Sequence, residues 1–339
     1  MKRSFCILAI LLFLLGGAYK SPSQVTFTGG KGLGRVLSAD PVKPTDIFLS
    51  GNVSTYQVQT GPATLSKYYL SNLNTTVGLA SYLETYFNII PFQDNQKNLW
   101  GQFGDIHLGV KYLTPLATNF FKFGLSGYYK FPTAAIGNVA YETFSTDHPA
   151  WAARALLTLD FFDMMPTFPI KFNFNLGYID HNIFDTYFTS NIDQMFVGAG
   201  VQFAIRSFQF FTEYSGEIFF NNSHNVPYNQ NSHRLTQGIR FMGPWNNTID
   251  LSFDFGLTQY DSLKNQDIFH KEYYSWKARV GITHRFSVYK YFDKSAKLQR
   301  MKEEEERRKL EEIRKKREKV KQELEQMKKR IEKKDDKKK

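Results

Sequence analysis

The sequence predicts an all-β protein, an antiparallel up-and-down transmembrane β-barrel of about 12 strands, followed by a charged C-terminal α-helix. Three observations predict it: a period of two in apolar residues that recurs along the chain, charged residues in the middle of the polar faces, and a secretory leader. Residues 170–178 illustrate the period, since Phe172, Phe174 and Leu176 alternate with Asn173 and Asn175. A closed barrel with lipid outside and polar groups inside satisfies both faces.

The first residues have the features of a signal peptide. A basic start is followed by an apolar run from Phe5 to Leu15 and by small residues up to Ala18, so we assign residues 1–18 to a cleaved leader. The only cysteine, Cys6, lies within it. The mature chain would therefore have no disulfide, zinc-thiolate site or cysteine nucleophile. No later segment is apolar for long enough to predict a transmembrane helix.

The positive charge is concentrated at the C-terminus. The chain has 43 Lys and Arg against 32 Asp and Glu, and residues 294–339 hold 21 of the basic and 12 of the acidic residues. Once Lys2 and Arg3 of the leader are set aside, the barrel region is neutral. The basic balance therefore belongs to the tail and does not indicate a nucleic-acid-binding protein.

After the leader we distinguish an N-terminal segment at 19–45 that lies in the periplasm or plugs the barrel mouth, a barrel at 46–287 and a charged periplasmic helix at 288–339. The predicted strands are 46–57, 68–80, 82–91, 103–113, 120–131, 149–161, 169–179, 192–205, 208–218, 232–242, 247–259 and 272–287. The second is the weakest of them.

The connections between these strands alternate between short and long. Short links fall at 81, 114–119, 162–168, 206–207 and 243–246, and longer ones at 58–67, 92–102, 132–148, 180–191, 219–231 and 260–271. Outer-membrane barrels have short periplasmic turns and long external loops, and an even strand count places both termini in the periplasm. The alternative, a soluble sandwich or a lipocalin-like barrel, gives no reason for this alternation.

The apolar faces predict lipid contacts, as at Phe121 and Leu125 or Ile249 and Leu251, with aromatic residues near strand ends. The opposite faces predict side chains that line the lumen. These are Glu84, Asp105, Lys111, Lys122, Lys130, Arg154, Asp160, Lys171, Glu213, Glu217, Arg234, Arg240, Asp250, Asp254, Lys277 and Arg279. They form either an electrostatic ladder that braces a narrow barrel or a polar lining for solute passage.

No pattern of catalytic or metal-binding residues is present, and we predict neither enzymatic activity nor a cofactor. His107 points inward by parity, while His148, His181, His224, His233 and His270 are expected in or beside external loops, outside any nucleophile motif. His181 with Asp185, or His224, could bind a surface metal, but solvated loop residues are the simpler interpretation.

Several short motifs resemble a bacterial outer-membrane barrel family. They are Gly30–Lys31–Gly32–Leu33–Gly34–Arg35–Val36 with Ser38–Ala39, Leu83–Glu84, Gly104–Asp105–Ile106–His107–Leu108–Gly109–Val110–Lys111–Tyr112, and Lys130–Phe131–Pro132–Thr133. Members of that family occur as barrels associated with aromatic (phenol) degradation pathways, where they are described as transporters, or as the barrel half of OmpA-family proteins. The resemblance, over about residues 29–287, implies the fold and the outer-membrane location.

The last predicted strand resembles the signal that the barrel-assembly machinery recognises. Arg279, Gly281 and Phe286 fit that signal, whereas His284 departs from it. The resemblance implies that this machinery is a partner. In OmpA-family relatives a peptidoglycan-binding domain follows the barrel, and this chain has none in that place.

The tail predicts a charged helix with i,i+4 ion pairs such as Glu304–Arg308 and Glu325–Lys329. Its apolar residues fall on one heptad frame. They are Leu310, Ile313, Val320, Leu324, Met327 and Ile331. A lone charged helix and a helix that pairs with a periplasmic partner fit equally well, and its positive charge also suits the cell wall or anionic lipid.

These features predict a Gram-negative outer-membrane protein that forms a porin-like or passive channel for small or hydrophobic solutes. The alternative is a structural envelope anchor with a closed, salt-bridged lumen and a tail that binds a periplasmic partner or the cell wall.

Overall fold

The computed structural model describes residues 24–59, 65–94, 101–134, 148–165, 168–184, 191–205, 207–219, 231–258 and 274–288, together with the single residues 304 and 311. The predicted leader at 1–18 lies outside the described residues. The predicted tail helix at 288–339 also lies outside them, apart from residues 288, 304 and 311, and so do all its heptad positions.

The chain forms a closed barrel of twelve strands in which every sequence neighbour is also a neighbour in the sheet and β1 meets β12. All eleven pairs of consecutive strands are antiparallel. The strands are β1 Asp46–Gln59, β2 Leu65–Ala80, β3 Leu83–Gln93, β4 Ile106–Leu113, β5 Phe121–Phe131, β6 Ala150–Asp160, β7 Ile170–Phe184, β8 Asn191–Ile205, β9 Phe208–Phe219, β10 Ser232–Met242, β11 Asn247–Gly256 and β12 Tyr274–Ser287. The predicted antiparallel barrel and its strand count are confirmed, whereas the C-terminal helix stays a prediction.

The period of two in the sequence becomes the two faces of the barrel wall. In β7, Phe174 and Leu176 are exposed while Asn173 and Asn175 are buried. Successive residues of a strand point to opposite faces, so an exposed apolar row on one side implies a polar row inside. The same alternation of exposed apolar and buried polar side chains recurs in β11, where Leu251 is exposed and Asp250 is buried.

The two ends of the barrel differ. At the short-turn end, the strands are joined through 81–82, 114–120, 161–169, 206–207 and 243–246, with one helical turn, α1 (Phe161–Met164), and one 3-10 turn. Both the start of β1 and the end of β12 lie there, because the strand number is even. We call the opposite end the long-loop end.

The predicted alternation of short and long connections is only partly correct. At the long-loop end, β1 and β2 pair as far as Gln59 and Leu65, and β7 and β8 as far as Phe184 and Asn191. The connections left there, 60–64 and 185–190, are shorter than the turn at 161–169. These ladders continue past the point where apolar residues alternate, since backbone pairing does not require an apolar face.

Residues 24–45, which we call the plug, fill the inside of the barrel. Small apolar clusters join the plug to the wall: Phe27, Leu33 and Val36 pack with Phe211 of β9. Two further clusters join Val25 and Val42 to Phe48, and Leu37 and Ala39 to Leu156. The interior is therefore packed by a segment of chain, and not by side chains of the wall alone.

Among the described residues, no helix is both long enough and apolar enough to cross a bilayer. The exposed large apolar side chains instead form rows on the outward faces of the strands. Examples are Val53 on β1, Leu125 on β5, Phe210 on β9, Phe255 on β11 and Val280 on β12. An exterior of exposed apolar side chains matches a hydrocarbon surrounding.

Candidate functional site: the plugged lumen

A single wall carboxylate, Glu213 of β9, binds the tip of the plug. Its oxygens accept the backbone N–H groups of Gly34 at 3.0 Å, Arg35 at 2.7 Å and Val36 at 3.1 Å. Three successive N–H groups on one carboxylate form a backbone anion nest. Gly34 is required there, because a Cβ at this position would lie 2.5 Å from a Glu213 oxygen and from Phe27.

A second wall carboxylate, Glu84 of β3, bridges two parts of the plug. It accepts the backbone N–H of Lys31 at 2.8 Å and that of Val42 at 2.7 Å. It also forms a fully buried ion pair with Lys111 Nζ of β4 at 2.8 Å. Glu84 thus fixes both ends of the stretch between Lys31 and Val42, and Lys111 balances its charge.

Arg240 of β10 supplies the opposite kind of contact, because it donates to plug oxygens. Its Nη atoms donate to the carbonyl oxygens of Gly32 (2.9 Å), Val25 (3.1 Å) and Leu33 (2.6 Å), and to Gln24 Oε1 (3.1 Å). Its Nε forms an ion pair with wall Asp250 at 2.6 Å. A guanidinium carries five donors in a fixed fork, so one arginine satisfies several buried carbonyls together.

Side chains of the plug also bind the wall. Arg35 donates to Asp254 Oδ2 of β11 at 2.7 Å and to Thr236 at 3.3 Å. The guanidinium of Arg279 lies 3.3 Å above the ring of Phe27 and 3.8 Å from the same Asp254. Asp254 therefore forms ion pairs with one arginine of the plug and one of the wall.

Amide and hydroxyl groups continue the attachment on β6 and β7. Leu37 and Asn175 exchange two hydrogen bonds, at 2.7 and 2.8 Å. The Ala39 N–H donates to Thr158 Oγ1 at 2.8 Å, and Ser38 Oγ lies 3.3 Å from that same oxygen. These pairs satisfy backbone groups that would otherwise be buried without partners.

Three lysines surround Asp40 near the short-turn end. Lys171 and Lys122 lie 2.9 and 3.0 Å from its carboxylate, and Lys31 lies 3.6 Å away. Lys122 and Lys171 also pair with Asp160 of β6. Burial alone would raise the pKa of Asp40, but the three ammonium groups hold it well below 3.8. Burial has the larger effect on Lys31 of the plug and lowers its pKa to about 8.

The plug separates two cavities. The short-turn cavity, of about 360 Å³, is lined by Asp40 and Pro44 of the plug, by Lys122 and Lys171, and by Phe162 of α1. The long-loop cavity, of about 60 Å³, has Phe27 and Arg35 of the plug on one side and wall residues such as His107, Arg154 and Glu217 on the others. A solute would have to pass the plug to move from one cavity to the other.

All the predicted lumen residues have buried or half-buried side chains on the inward face of the wall. They are Glu84, Asp105, Lys111, Lys122, Lys130, Arg154, Asp160, Lys171, Glu213, Glu217, Arg234, Arg240, Asp250, Asp254, Lys277 and Arg279. Several pair within the wall: Lys130 with Asp105 at 3.4 Å, and Arg234 with Glu217 at 3.1 Å.

Arg154 and Lys277 make aromatic contacts. The Arg154 guanidinium stacks on Phe196 at 4.0 Å and faces the ring of Tyr128 at 5.4 Å, while Lys277 lies over Tyr56 at 5.2 Å. Whether any of the lumen residues contacts a passing solute stays a prediction.

The sequence did not predict that some of these lumen residues bind the plug. The pattern predicted Glu213 and Glu217 alike as side chains that line the lumen, but Glu213 binds the plug backbone. A signal was present in the Gly-rich motif that includes Gly32 and Gly34, since a chain that must approach a buried carboxylate closely requires glycine.

Two expectations about histidines need correction or restriction. His181 does not lie in or beside a solvated loop: it is buried in β7, where Nε2 pairs with Gln194 Oε1 at 2.8 Å, because β7 extends to Phe184. A surface metal site that uses His181 is therefore wrong, because this side chain is buried. Asp185, His224 and His270 lie outside the described residues. Among the residues that the structure describes, no group of three or more His, Cys, Asp or Glu could hold a metal ion.

The residues of the predicted assembly signal occupy β12. Arg279 points inward, and Phe286 is exposed on the outer face next to the ring of His284. Gly281 lies between Asn52 of β1 and Asp250 of β11. Recognition by an assembly machinery stays a prediction.

No protein-family model and no curated protein sequence matches the chain. Similar solved structures are an outer membrane channel from Pseudomonas putida F1 (TM-score 0.48, 8% identity, 75% of this chain and 99% of that one) and the NanC porin (0.45, 11%, 70% and 98%). The KdgM porin is also similar (0.43, 5%, 70% and 99%). At these identities and scores, the likeness identifies neither family nor solute, and the OmpA-like and phenol-pathway resemblance stays a prediction.

Proposed function

We propose that the protein is an outer-membrane channel for small solutes, and that its lumen is closed by the plug until the plug shifts. The observation that carries this proposal is the pair of cavities on opposite sides of the plug, inside a barrel too wide for its own side chains to fill. Barrels of about eight strands are filled by side chains, whereas larger ones leave room for a channel or a plug.

The exterior supports the membrane location. Outward rows of exposed apolar side chains occur on every part of the wall, from Leu49 on β1 to Ile282 on β12. We place the short-turn end in the periplasm, because outer-membrane barrels have their short turns there. The N- and C-termini would then both be periplasmic.

The plug is attached by contacts that favour reversible displacement. Most of them are hydrogen bonds and ion pairs to Glu84, Glu213, Arg240 and Asp254, and the apolar clusters between plug and wall are small. Water that enters a widened lumen would satisfy the same polar groups, so moving the plug costs less than moving a segment held by apolar burial alone.

A disulfide that ties the plug to the wall tests this proposal. Ser38 Oγ and Thr158 Oγ1 lie 3.3 Å apart, so Ser38→Cys/Thr158→Cys brings two thiols within reach of a bond. Cys6 is the only natural cysteine and lies in the predicted leader. We expect discrete conductance steps in planar bilayers from the reduced protein and none from the oxidised protein, with recovery on adding dithiothreitol.

The matched control crosslinks the wall to itself. Ser50 of β1 and Thr283 of β12 have their hydroxyl oxygens 2.9 Å apart, so Ser50→Cys/Thr283→Cys closes a disulfide that leaves the plug free. This variant should conduct in both redox states. Equal conductance of the oxidised and reduced plug variant would show that the plug is not the gate.

A barrel that never conducts, even when reduced, would support the alternative of a structural envelope anchor. In that case the buried ion pairs of the lumen brace a closed barrel.

As further proposals, outer-membrane lipid surrounds the wall, the barrel-assembly machinery recognises β12, and the tail binds a periplasmic helical partner or the cell wall.

A further inference from the structure

The short-turn cavity combines a positive charge with an apolar wall. Its lining includes four lysines (Lys31, Lys43, Lys122 and Lys171) but only two aspartates, Asp40 and Asp160, among the residues that the structure describes. The rest of the wall is largely apolar and includes Leu113, Phe162 and Ile170. Cavities of about 300 Å³ or more, apolar with a few convergent polar groups, are typical of small-molecule sites.

One carboxylate already occupies the cationic side of this cavity. Asp40 belongs to the plug, and its two oxygens lie within 3.0 Å of Lys122 and Lys171. Asp160, by contrast, belongs to the wall and stays with these lysines wherever the plug goes. If Asp40 moved away, Lys122 and Lys171 of the wall would share the single carboxylate of Asp160, which leaves an unfavourable excess of positive charge between them.

We propose that the lysine cluster of Lys31, Lys122 and Lys171 is a binding site for small organic carboxylates with an apolar body, and that Asp40 occupies it in their place when no solute is bound. A solute carboxylate that replaced Asp40 would release one attachment of the plug. This inference deepens the proposed channel function by naming the class of solute and the contact through which it acts.

The lining explains why the class is both anionic and apolar. A carboxylate accepts charge-assisted hydrogen bonds from the lysine ammonium groups, as Asp40 does now. The body of the solute would contact side chains such as Leu113, Phe162 and Ile170. A neutral solute of the same shape gains only the apolar contact, and a purely inorganic anion gains only the charge.

The test measures binding of benzoate to the full-length mature protein in detergent micelles by calorimetry. Asp40→Asn removes the competing carboxylate, so we expect it to bind benzoate about tenfold more tightly than the natural sequence. Benzamide, which has the same shape without the charge, should bind no more tightly to Asp40→Asn than to the natural sequence. Adding Lys171→Gln to Asp40→Asn should abolish the gain. If Asp40→Asn fails to fold, as judged by heat-modifiable migration, Asp40→Ser takes its place.

Asp254→Asn is the control for a merely loosened plug. It removes the carboxylate that binds Arg35 at 2.7 Å and does not line the short-turn cavity, so benzoate affinity should rise by much less than in Asp40→Asn. An equal gain in this variant, an equal gain for benzamide, or no gain in Asp40→Asn would each overturn the site. Because binding is measured without a membrane, failure here is distinct from failure of conductance.

Discussion

Glu213 and Glu217 lie on the same face of β9, and both are nearly inaccessible to solvent, at 1% and 5%. Glu213 accepts three N–H groups of the plug, whereas Glu217 forms an ion pair with Arg234 of the neighbouring strand. The same residue type therefore attaches the plug at one position and braces the wall at the other. Parity identified both as inward, but only the three-dimensional contacts distinguish their roles.

This difference predicts different effects of the same substitution. Glu213→Gln retains one acceptor oxygen but loses the negative charge and the second acceptor, so hydrogen bonds to Gly34–Val36 are weakened or lost. We expect the frequency of conductance steps to rise about tenfold, as the loss of one or two charge-assisted hydrogen bonds implies. Glu217→Gln should leave that frequency unchanged. Identical behaviour of the two variants would contradict the assignment of Glu213 to the plug.

At the scale of elements, strands and plug differ in how far the sequence reveals them. All twelve strands follow from the period of two, because one face of each must be apolar and the other polar. The ends of β2 and β7 were predicted too short, since ladder pairing continues where the pattern stops. The plug has no period, because its residues contact wall on several sides. The position of the plug in the barrel depends on contacts between residues far apart in sequence, such as that of Arg35 with Asp254.

Arginine on the outward face of a strand should destabilise the barrel by an amount that depends on its depth in the membrane. Leu251, in the middle of β11, is 48% exposed, and Leu257, just beyond the long-loop end of that strand, is 49% exposed. We expect Leu251→Arg to lower the free energy of unfolding in phospholipid vesicles by about 2–4 kcal/mol and Leu257→Arg by less than about 1 kcal/mol. Equal costs at the two positions would mean that the surrounding of this face does not vary with depth.

For the whole molecule, the interior depends on both the wall and the plug. Wall carboxylates and arginines such as Glu84, Glu213 and Arg240 have partners in the plug that the wall itself does not provide. Removal of the plug would leave these groups to water, as in an open pore. The amphipathic pattern of the wall thus predicts a barrel, and the pairing of its charges with the plug favours a barrel that is closed in one state and hydrated in another.

The charged tail should be separable from the barrel. β12 closes the barrel at Ser287 through its pairing with β11 and its place beside β1. We therefore expect deletion of residues 297–339 to leave membrane insertion and heat-modifiable migration intact, while association with a periplasmic partner is lost. Loss of insertion, or trimming of the tail by protease added to whole cells, would contradict the proposed topology.

The kind of tail partner follows from how that association responds to salt and to substitution. Attraction of the basic tail to cell-wall carboxylates or anionic lipid should weaken steeply as salt is raised. A coiled-coil partner should instead tolerate salt and be lost on Val320→Asp or Leu324→Asp, which place a charge in the predicted heptad stripe. Lys321→Asp, outside that stripe, is the matched control, since it alters charge without altering the apolar seam. An association that all three substitutions leave intact, and that salt does not weaken, would rule out both kinds of partner.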